Sequence, residues 1–452
     1  MQAEFTPAEA ASDLPTLAEA LRQRRQRLAA LSSVPVVLWS GQSPSRNFPA
    51  NTYPFRASSH FLYFAGLNLP NAAIALRGEH LTLFWDEPTP AEVLWHGPGP
   101  TRSQLAEQIG AEDAKPLAEL ERYCVGAATI AVQDSATRQQ QAALLGRSLA
   151  VPKQSEGLDR ALAEAIVQVR LCHDEFALAE MRWAAQVTRQ AHEAGRAAIA
   201  SATTEAQVRA AMEQVILAAD MTPAYSSIVT VRGEVLHNCH YGHRLEPGDL
   251  LLADVGAETP LGWAADVTRT WPVSGQFSPT QREIYDIVQA AHDRCIEAIA
   301  PGVEYRDIHL LAARVIAEGL VSLGILRGAP EDLVEQDAHA LFFPHGVGHL
   351  LGLDVHDMED LGDLAGYEPG RTRSDRFGLC YLRLDRPLRP GMVVTVEPGF
   401  YQIPALLHDA KQRGRSSAQV DWERLADFAD VRGIRIEDDI LVTPTGREVL
   451  TA

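Results

Sequence analysis

Apolar residues fall along this chain in two rhythms. From 14 to 31, Leu17, Leu21, Leu28 and Leu31 recur near helical spacing behind Ser12 and Asp13 as cap candidates, with Pro15 in the first turn. That pattern predicts an amphipathic helix. Short apolar runs follow at 34–39 (VPVVLW), 60–66 (HFLYFAG), 72–76 (AAIAL) and 81–85 (LTLFW), alternating with turn-rich or helical stretches up to about 150, as in a mixed α/β domain. The stretch VPKQSEG at 151–157 reads as a linker, and two helices start near Asp159 and Asp174, the second carrying Phe176, Met181, Trp183 and Val187. Strands are predicted beyond them at 226–231, 249–258, 267–273, 392–401 and 433–443. No solenoid repeat and no low-complexity tract interrupts this plan.

The later strands break their own pattern, because each carries an acid where an apolar residue belongs. Asp254 sits in DLLLADVGAE, Asp266 in WAADVTRTWPV, Glu397 in MVVTVEPGFY and Glu437 in GIRIEDDILVT. With a side-chain period of two, Leu250, Leu252 and Asp254 share a face, as do Val393, Thr395 and Glu397. An unpaired buried carboxylate costs several kcal/mol, and four together cost more unless cations neutralise them. A strand-end carboxylate paired with Arg or Lys is the ordinary reading of any one of them. Four such acids, together with the three histidines of PHGVGHLLGLDVHD (344–357), point instead to divalent metal. Gly346 and Gly348 argue against a helix there and for irregular backbone beside a site. Arg435 shares a strand face with Glu437 and is placed either as its partner or as a group orienting a ligating carboxylate. Carboxylates with one imidazole form a hard donor set, which favours manganese over zinc or cobalt.

The chain has 452 residues, 46% hydrophobic and 22% charged, enough to bury ordinary cores in two or three domains. A net charge of -19 excludes nucleic acid and anionic membrane as partners. The one basic cluster, RQRRQR at 22–27, is expected to be a solvated helix face. The opening MQAEFTPAEA has neither a basic nor an apolar leader segment, and no run reaches the roughly 18 apolar residues that span a bilayer. Five scattered cysteines without a CxxC pair imply reduced, structural thiols. The expected location is the cytoplasm.

These motifs resemble the metal-dependent "pita-bread" peptidases, the group of methionine aminopeptidase, prolidase and aminopeptidase P, whose ligand order is Asp, Asp, His, Glu, Glu. LLADVGAE, AADVTRTWP, HGVGHLLGLDVHD, VVTVEPGFY and IRIEDDILVT carry that order as Asp254, Asp266, His349, Glu397 and Glu437. The resemblance implies an α+β fold, with a C-terminal pita-bread domain (173–452), a connecting segment (151–172) and a smaller mixed α/β N-terminal domain (1–150). It further implies two divalent ions bridged by Asp266 and Glu437, with Asp254 completing one shell and His349 with Glu397 the other. His345 and His356 match the histidines that contact the substrate carbonyl and the tetrahedral intermediate, and Glu397 is the expected proton shuttle. His237 falls 17 residues before Asp254, where the family keeps a pocket histidine, although His240 and His243 crowd it. Arg383 and Arg435 complete the substrate-binding candidates.

YPFRASSHFLYFAG (53–66) is similar to the N-terminal domain of aminopeptidase P and prolidase, which narrows the substrate to peptides with proline second. One departure stands near 170, where LCHDEFALAEM replaces the usual Lys-Ser-Pro-Glu-Glu. The expected activity is release of the residue before proline. A dipeptide-only prolidase is the alternative, because Arg383 lies 14 residues before Glu397, where prolidase-like members carry a cation for the free carboxylate. Equally, Arg383 could belong to a solvated loop with Arg371, Arg373, Arg376 and Arg386. A non-catalytic peptide-binding relative would be expected to have lost ligands, and a creatinase-like hydrolase lacks them. The family also implies a homo-oligomer, dimer or tetramer.

Overall fold

The computed structural model describes residues 14–416 and 418–452. The first helix, α1 (Leu17–Leu31), is capped by Thr16, whose side chain accepts from the Glu19 amide while the Glu19 carboxylate takes the Thr16 amide. The predicted caps Ser12 and Asp13 lie outside the described residues. The basic cluster on α1 is not a solvated face: Arg24 and Arg25 are among the most deeply buried side chains of the protein. Arg24 clamps Asp174 through two nitrogens at 2.7 and 3.0 Å, and Arg25 donates to the carbonyls of Glu79 and Gly110. Oxygen acceptors brought from elsewhere in the chain make that burial tolerable.

The N-terminal sheet runs β1 (Val36–Trp39), β2 (Ala73–Arg77), β3 (His80–Phe84), β4 (Asp113–Lys115), with only the β3–β4 pair parallel. The run HFLYFAG is not one of its strands. It forms α2 (Ser59–Ala65), ended by Gly66 at φ +60, and five of its apolar side chains, Phe61 to Ala65, are buried. A seven-residue apolar run has no period strong enough to separate helix from strand, and the left-handed glycine cap decides it.

Two helices follow, α3 (Gly157–Arg170) and α4 (Glu175–Ala198), the latter capped by Asp174, and then α5 (Glu205–Ala218). Two antiparallel sheets build the C-terminal core. One orders β5 (Ile228–Thr230) and β6 (Leu250–Asp254) beside β7 (Thr268–Pro272), with β6 central. The other places β11 (Asp438–Thr443) between β8 (Val393–Val396) and β12 (Gly446–Val449). Helices α6 (Pro279–Ala298) and α7 (Tyr305–Ser322) pack on each other, and the pair β9 (Gly399–Tyr401) with β10 (Gly433–Arg435) links the sheets. The Glu437 amide, between β10 and β11, donates to the Thr268 carbonyl of β7 at 3.0 Å, so the two sheets meet there. Among the described residues no helix is long and apolar enough to cross a membrane.

Candidate active site

The acids that spoiled the strand pattern sit where strands stop. Only Asp254 lies within a strand, as the last residue of β6. Asp266 precedes β7, Glu397 follows β8 and Glu437 occupies the break between β10 and β11. At such breaks a side chain can leave the sheet face while its backbone bonds across to a neighbour. The Glu437 amide does so to Thr268, and the Glu397 amide donates to the Val347 carbonyl at 2.8 Å. The histidine loop joins the same strand, because the Thr395 amide donates to the His349 carbonyl and the His349 amide to Thr395 Oγ1. Gly348 is the point of closest approach, where an added Cβ would stand 2.2 Å from the Thr395 carbonyl oxygen and 2.3 Å from the Tyr305 hydroxyl.

These connections bring one donor atom each from Asp266, His349 and Glu437 within 4.8 Å of one another, all three side chains buried. His349 Nε2 lies 3.5 Å from Asp266 Oδ2 and 3.6 Å from Glu397 Oε1. Its Nδ1–H donates to the Leu350 carbonyl, so Nε2 turns a lone pair toward the carboxylates. Asp254 stands beside them, with Oδ2 held by Arg435 at 2.6 Å and Oδ1 2.5 Å from the Tyr225 hydroxyl, which is also 2.5 Å from Asp266 Oδ1. Thr268 Oγ1 donates to Glu437 Oε2 at 2.6 Å.

Burial raises the carboxyls of Asp254, Asp266, Glu397 and Glu437 above their ordinary range, and neighbouring acids raise Asp254, Glu397 and Glu437 further. Glu397 goes up to about 8, and Glu437 well above its usual value. Burial conversely pushes His349 down to about 4, which keeps the imidazole neutral. Oxygen donors that repel one another, with a nitrogen lone pair aimed among them, fit a divalent cation. Asp266, His349 and Glu437 would hold it, with Asp254 and Glu397 within reach.

The other predicted residues surround this cluster. His345 donates from Nδ1 to the Gly346 carbonyl at 2.8 Å and accepts at Nε2 from the Tyr401 hydroxyl at 2.8 Å, while Tyr401 accepts from Arg435 Nη1 at 3.1 Å. Burial holds His345 down to about 3. His356 lies against His349, ring centroids 4.0 Å apart, and its Nδ1 is 3.1 Å from Glu359 Oε2. Glu359 binds Arg383 Nη1 through both oxygens, at 2.8 and 2.7 Å. Arg435 is buried and salt-bridges Asp254 rather than Glu437. His237 is exposed at the rim. The loop arginines are not simply solvated: Arg371 pairs with Glu304 and Asp385, Arg373 with Asp363, Arg376 with Asp337, and Arg386 is buried.

Sequence reasoning did not single out Tyr225, Tyr401 or Glu359. Tyr401 had a signal, since Glu397, Gly399 and Tyr401 alternate at strand period and face one way. Glu359 lies three residues after His356, and Tyr225 had no distinguishing context.

Comparison with known proteins gives the family and the fold. The model of metallopeptidase family M24 matches residues 179–444, and that of the aminopeptidase P N-terminal domain matches residues 21–132. A probable Xaa-Pro aminopeptidase of Tuber melanosporum is 32% identical over 409 residues, covering 88% of this chain and 84% of its own. Proline aminopeptidase P II from Yersinia pestis superposes with a TM-score of 0.76 at 29% identity, covering 96% of each chain. Aminopeptidase P from E. coli with the inhibitor Pro-Leu gives 0.76 at 28%, covering 96% of this chain and 95% of that one.

Proposed function

The chain belongs to metallopeptidase family M24, and from that premise we propose that it releases the first residue of peptides whose second residue is proline. It is a metal-dependent hydrolase with a pita-bread domain behind an aminopeptidase P N-terminal domain. The observation that carries the reading is the convergence of Asp266, His349 and Glu437 on one point. A divalent ion there supplies Lewis acidity, which polarises a carbonyl and lowers the pKa of water. Two ions and manganese are our assignment, supported by five donors of which four are carboxylates.

The chain's own groups do the rest. Glu397, whose Oε1 lies 3.6 Å from His349 Nε2, takes a proton from the attacking water and returns it to the proline nitrogen. His345, fixed as a neutral ring between Gly346 and Tyr401, defines one wall. His356 keeps its Nδ1–H on Glu359, a half-exposed carboxylate that His356 and Arg383 hold down to about 2 against partial desolvation. Its opposite edge stands over His349 and faces the substrate carbonyl. Arg435 anchors Asp254 and Tyr401. Proline lacks an N–H and has a fixed φ, which spoils the extended binding that general peptidases use, so a shaped pocket must replace it.

Two observations favour an aminopeptidase over a dipeptidase. Both Glu359 oxygens hold Arg383, so its charge is already matched. The E. coli relative is described with the inhibitor Pro-Leu, the piece left when a tripeptide loses the residue before proline. We further assign residues 1–150, 151–172 and 173–452 as separate units, a cytoplasmic location consistent with five free cysteines, and a dimer or tetramer. The deciding assay compares Ala-Pro with Ala-Pro-Pro under added manganese, beside Arg383→Ala. Hydrolysis of the tripeptide, abolished by chelation and kept by Arg383→Ala, is expected. Cleavage of the dipeptide alone, lost in that variant, would make this a prolidase, and protein purified without metal and inactive with it would make this a binding relative.

A further inference from the structure

The segment that carries His356, residues 351–360, has no regular strand or helix apart from a single turn at its end. Side chains from the N-terminal elements hold it instead. Arg56 donates to the Leu353 carbonyl and bonds Glu258 at 2.7 Å. Ser59 Oγ donates to Asp354 Oδ1 at 2.6 Å, and His60 Nε2 to Asp360 Oδ2 at 3.0 Å. From the end of α3, Arg170 Nη2 bonds Asp357 Oδ1 at 2.6 Å, flanking His356 on the chain, while its Nη1 bonds His60 Nδ1 at 3.0 Å. A guanidinium can only donate, so His60 accepts at Nδ1 and gives its single proton to Asp360. Arg170, His60 and Asp357 are each at most 3% exposed.

Such a buried polar network is a weak source of stability, and its better-attested use is to select one arrangement. Here the arrangement selected is that of a short loop whose central ring lies 4.0 Å from His349. Arg56, Ser59 and His60 come from one motif at the start of α2, and they grip the loop at three points on either side of His356. A cleft of about 440 Å³ runs between the two groups, lined by Arg56 and Ser59 on one side and by Asp354 and His356 on the other. Movement of this contact would carry the histidine with it.

We propose that Arg56, Ser59 and His60 are positioning residues for catalysis: the N-terminal domain sets where the His356 ring stands. The inference rests on the reading of His356 as a group that meets the substrate. It makes the N-terminal domain part of the active site's mechanics in the same chain.

The test couples the two sites. Ser59→Ala and Arg56→Ala are measured alone and in a His356→Ala background, with Ala-Pro-Pro as substrate and metal content checked in each. Positioning predicts that each single variant loses kcat by about 10-fold with KM and bound metal kept, since small misplacements of a reacting group are costly. In the His356→Ala background the same changes should alter kcat by less than about twofold, because groups acting through one another are non-additive. Equal losses in both backgrounds would reduce the network to a structural tether and overturn the proposal, as would full kcat in Ser59→Ala and Arg56→Ala. Wild-type kcat in His356→Ala would overturn it together with the role of His356. Ser59→Ala removes one hydroxyl only and keeps the test valid where Arg56→Ala fails to fold.

Discussion

At the scale of single residues the site is a balance of repulsion. Burial first and neighbouring acids second, Asp266 among them, raise the proton affinity of Asp254, Glu397 and Glu437, and each raised unit is about 1.4 kcal/mol against the charged form. Asp266→Asn keeps the shape and removes one charge. Without metal at pH 8 this variant should be more stable than the parent by about 1–2 kcal/mol, although it binds less metal and loses activity. Thermal melting in chelator, with metal analysis of the purified protein, checks both halves, and a metal-free variant that melts below the parent contradicts the account. The four buried acids were legible in sequence because a buried acid contradicts its own strand. Tyr225 and Glu359 were not, because a lone tyrosine or a surface glutamate contradicts nothing. Their importance comes only from the distances that folding creates, such as 2.5 Å from Tyr225 to Asp254.

At the scale of elements, two close contacts decide how accurately the site is held. Gly348 lets the histidine loop lie directly on β8, and Gly348→Ala would force its Cβ into the Thr395 carbonyl and Tyr305 hydroxyl. Overpacking of this kind costs about 1–3 kcal/mol. A fall in urea midpoint with a larger fall in kcat is expected, because His349 sits on the next residue. Arg24 ties α1 to Asp174 at the start of α4, and Arg24→Ala would leave that carboxylate with Arg27 at 3.3 Å as its remaining cation. Breaking a buried pair from one side costs about 3–5 kcal/mol, so urea denaturation of Arg24→Ala should show a loss in that range, and one below about 1 kcal/mol would mean the pair is solvated after all. Charge patterning along α1 could not reveal this, because the acceptors come from Asp174, Glu79 and Gly110, far away in sequence. The helix over HFLYFAG was hidden for a local reason, since the run is too uniformly apolar to show a period and only the left-handed Gly66 cap decides it. By contrast, the strands between 226 and 443 were readable because their apolar runs are bounded by turns, while β12 (Gly446–Val449), short and mostly polar, was not predicted.

At the scale of the whole molecule, buried histidines and buried acids pull stability in opposite directions with pH. His192, His309 and His349 are held down to about 4 by burial, and His339 and His345 to about 3. Their unfolded forms take protons below about 6.5, so stability is lost as pH falls from there. The acids of the site work the other way: Glu397, raised to about 8, binds its proton more tightly folded than unfolded, so stability is lost as pH rises toward 8. Between about 6.5 and 8 the histidines are neutral in both states and only the acids act. Metal-free protein should therefore be most stable near pH 6.5 and decline toward 8 by up to about 1.4 kcal/mol per pH unit for each proton released. A divalent cation takes the place of those protons, so the metal-loaded protein should stay level across that range while sharing the same loss in acid. Melting curves at half-unit steps from pH 5 to 8.5, with chelator and with manganese, measure the difference. The gap between them should widen with pH, and parallel curves would mean that the four carboxylates are not neutralised by the ion the site is built to hold.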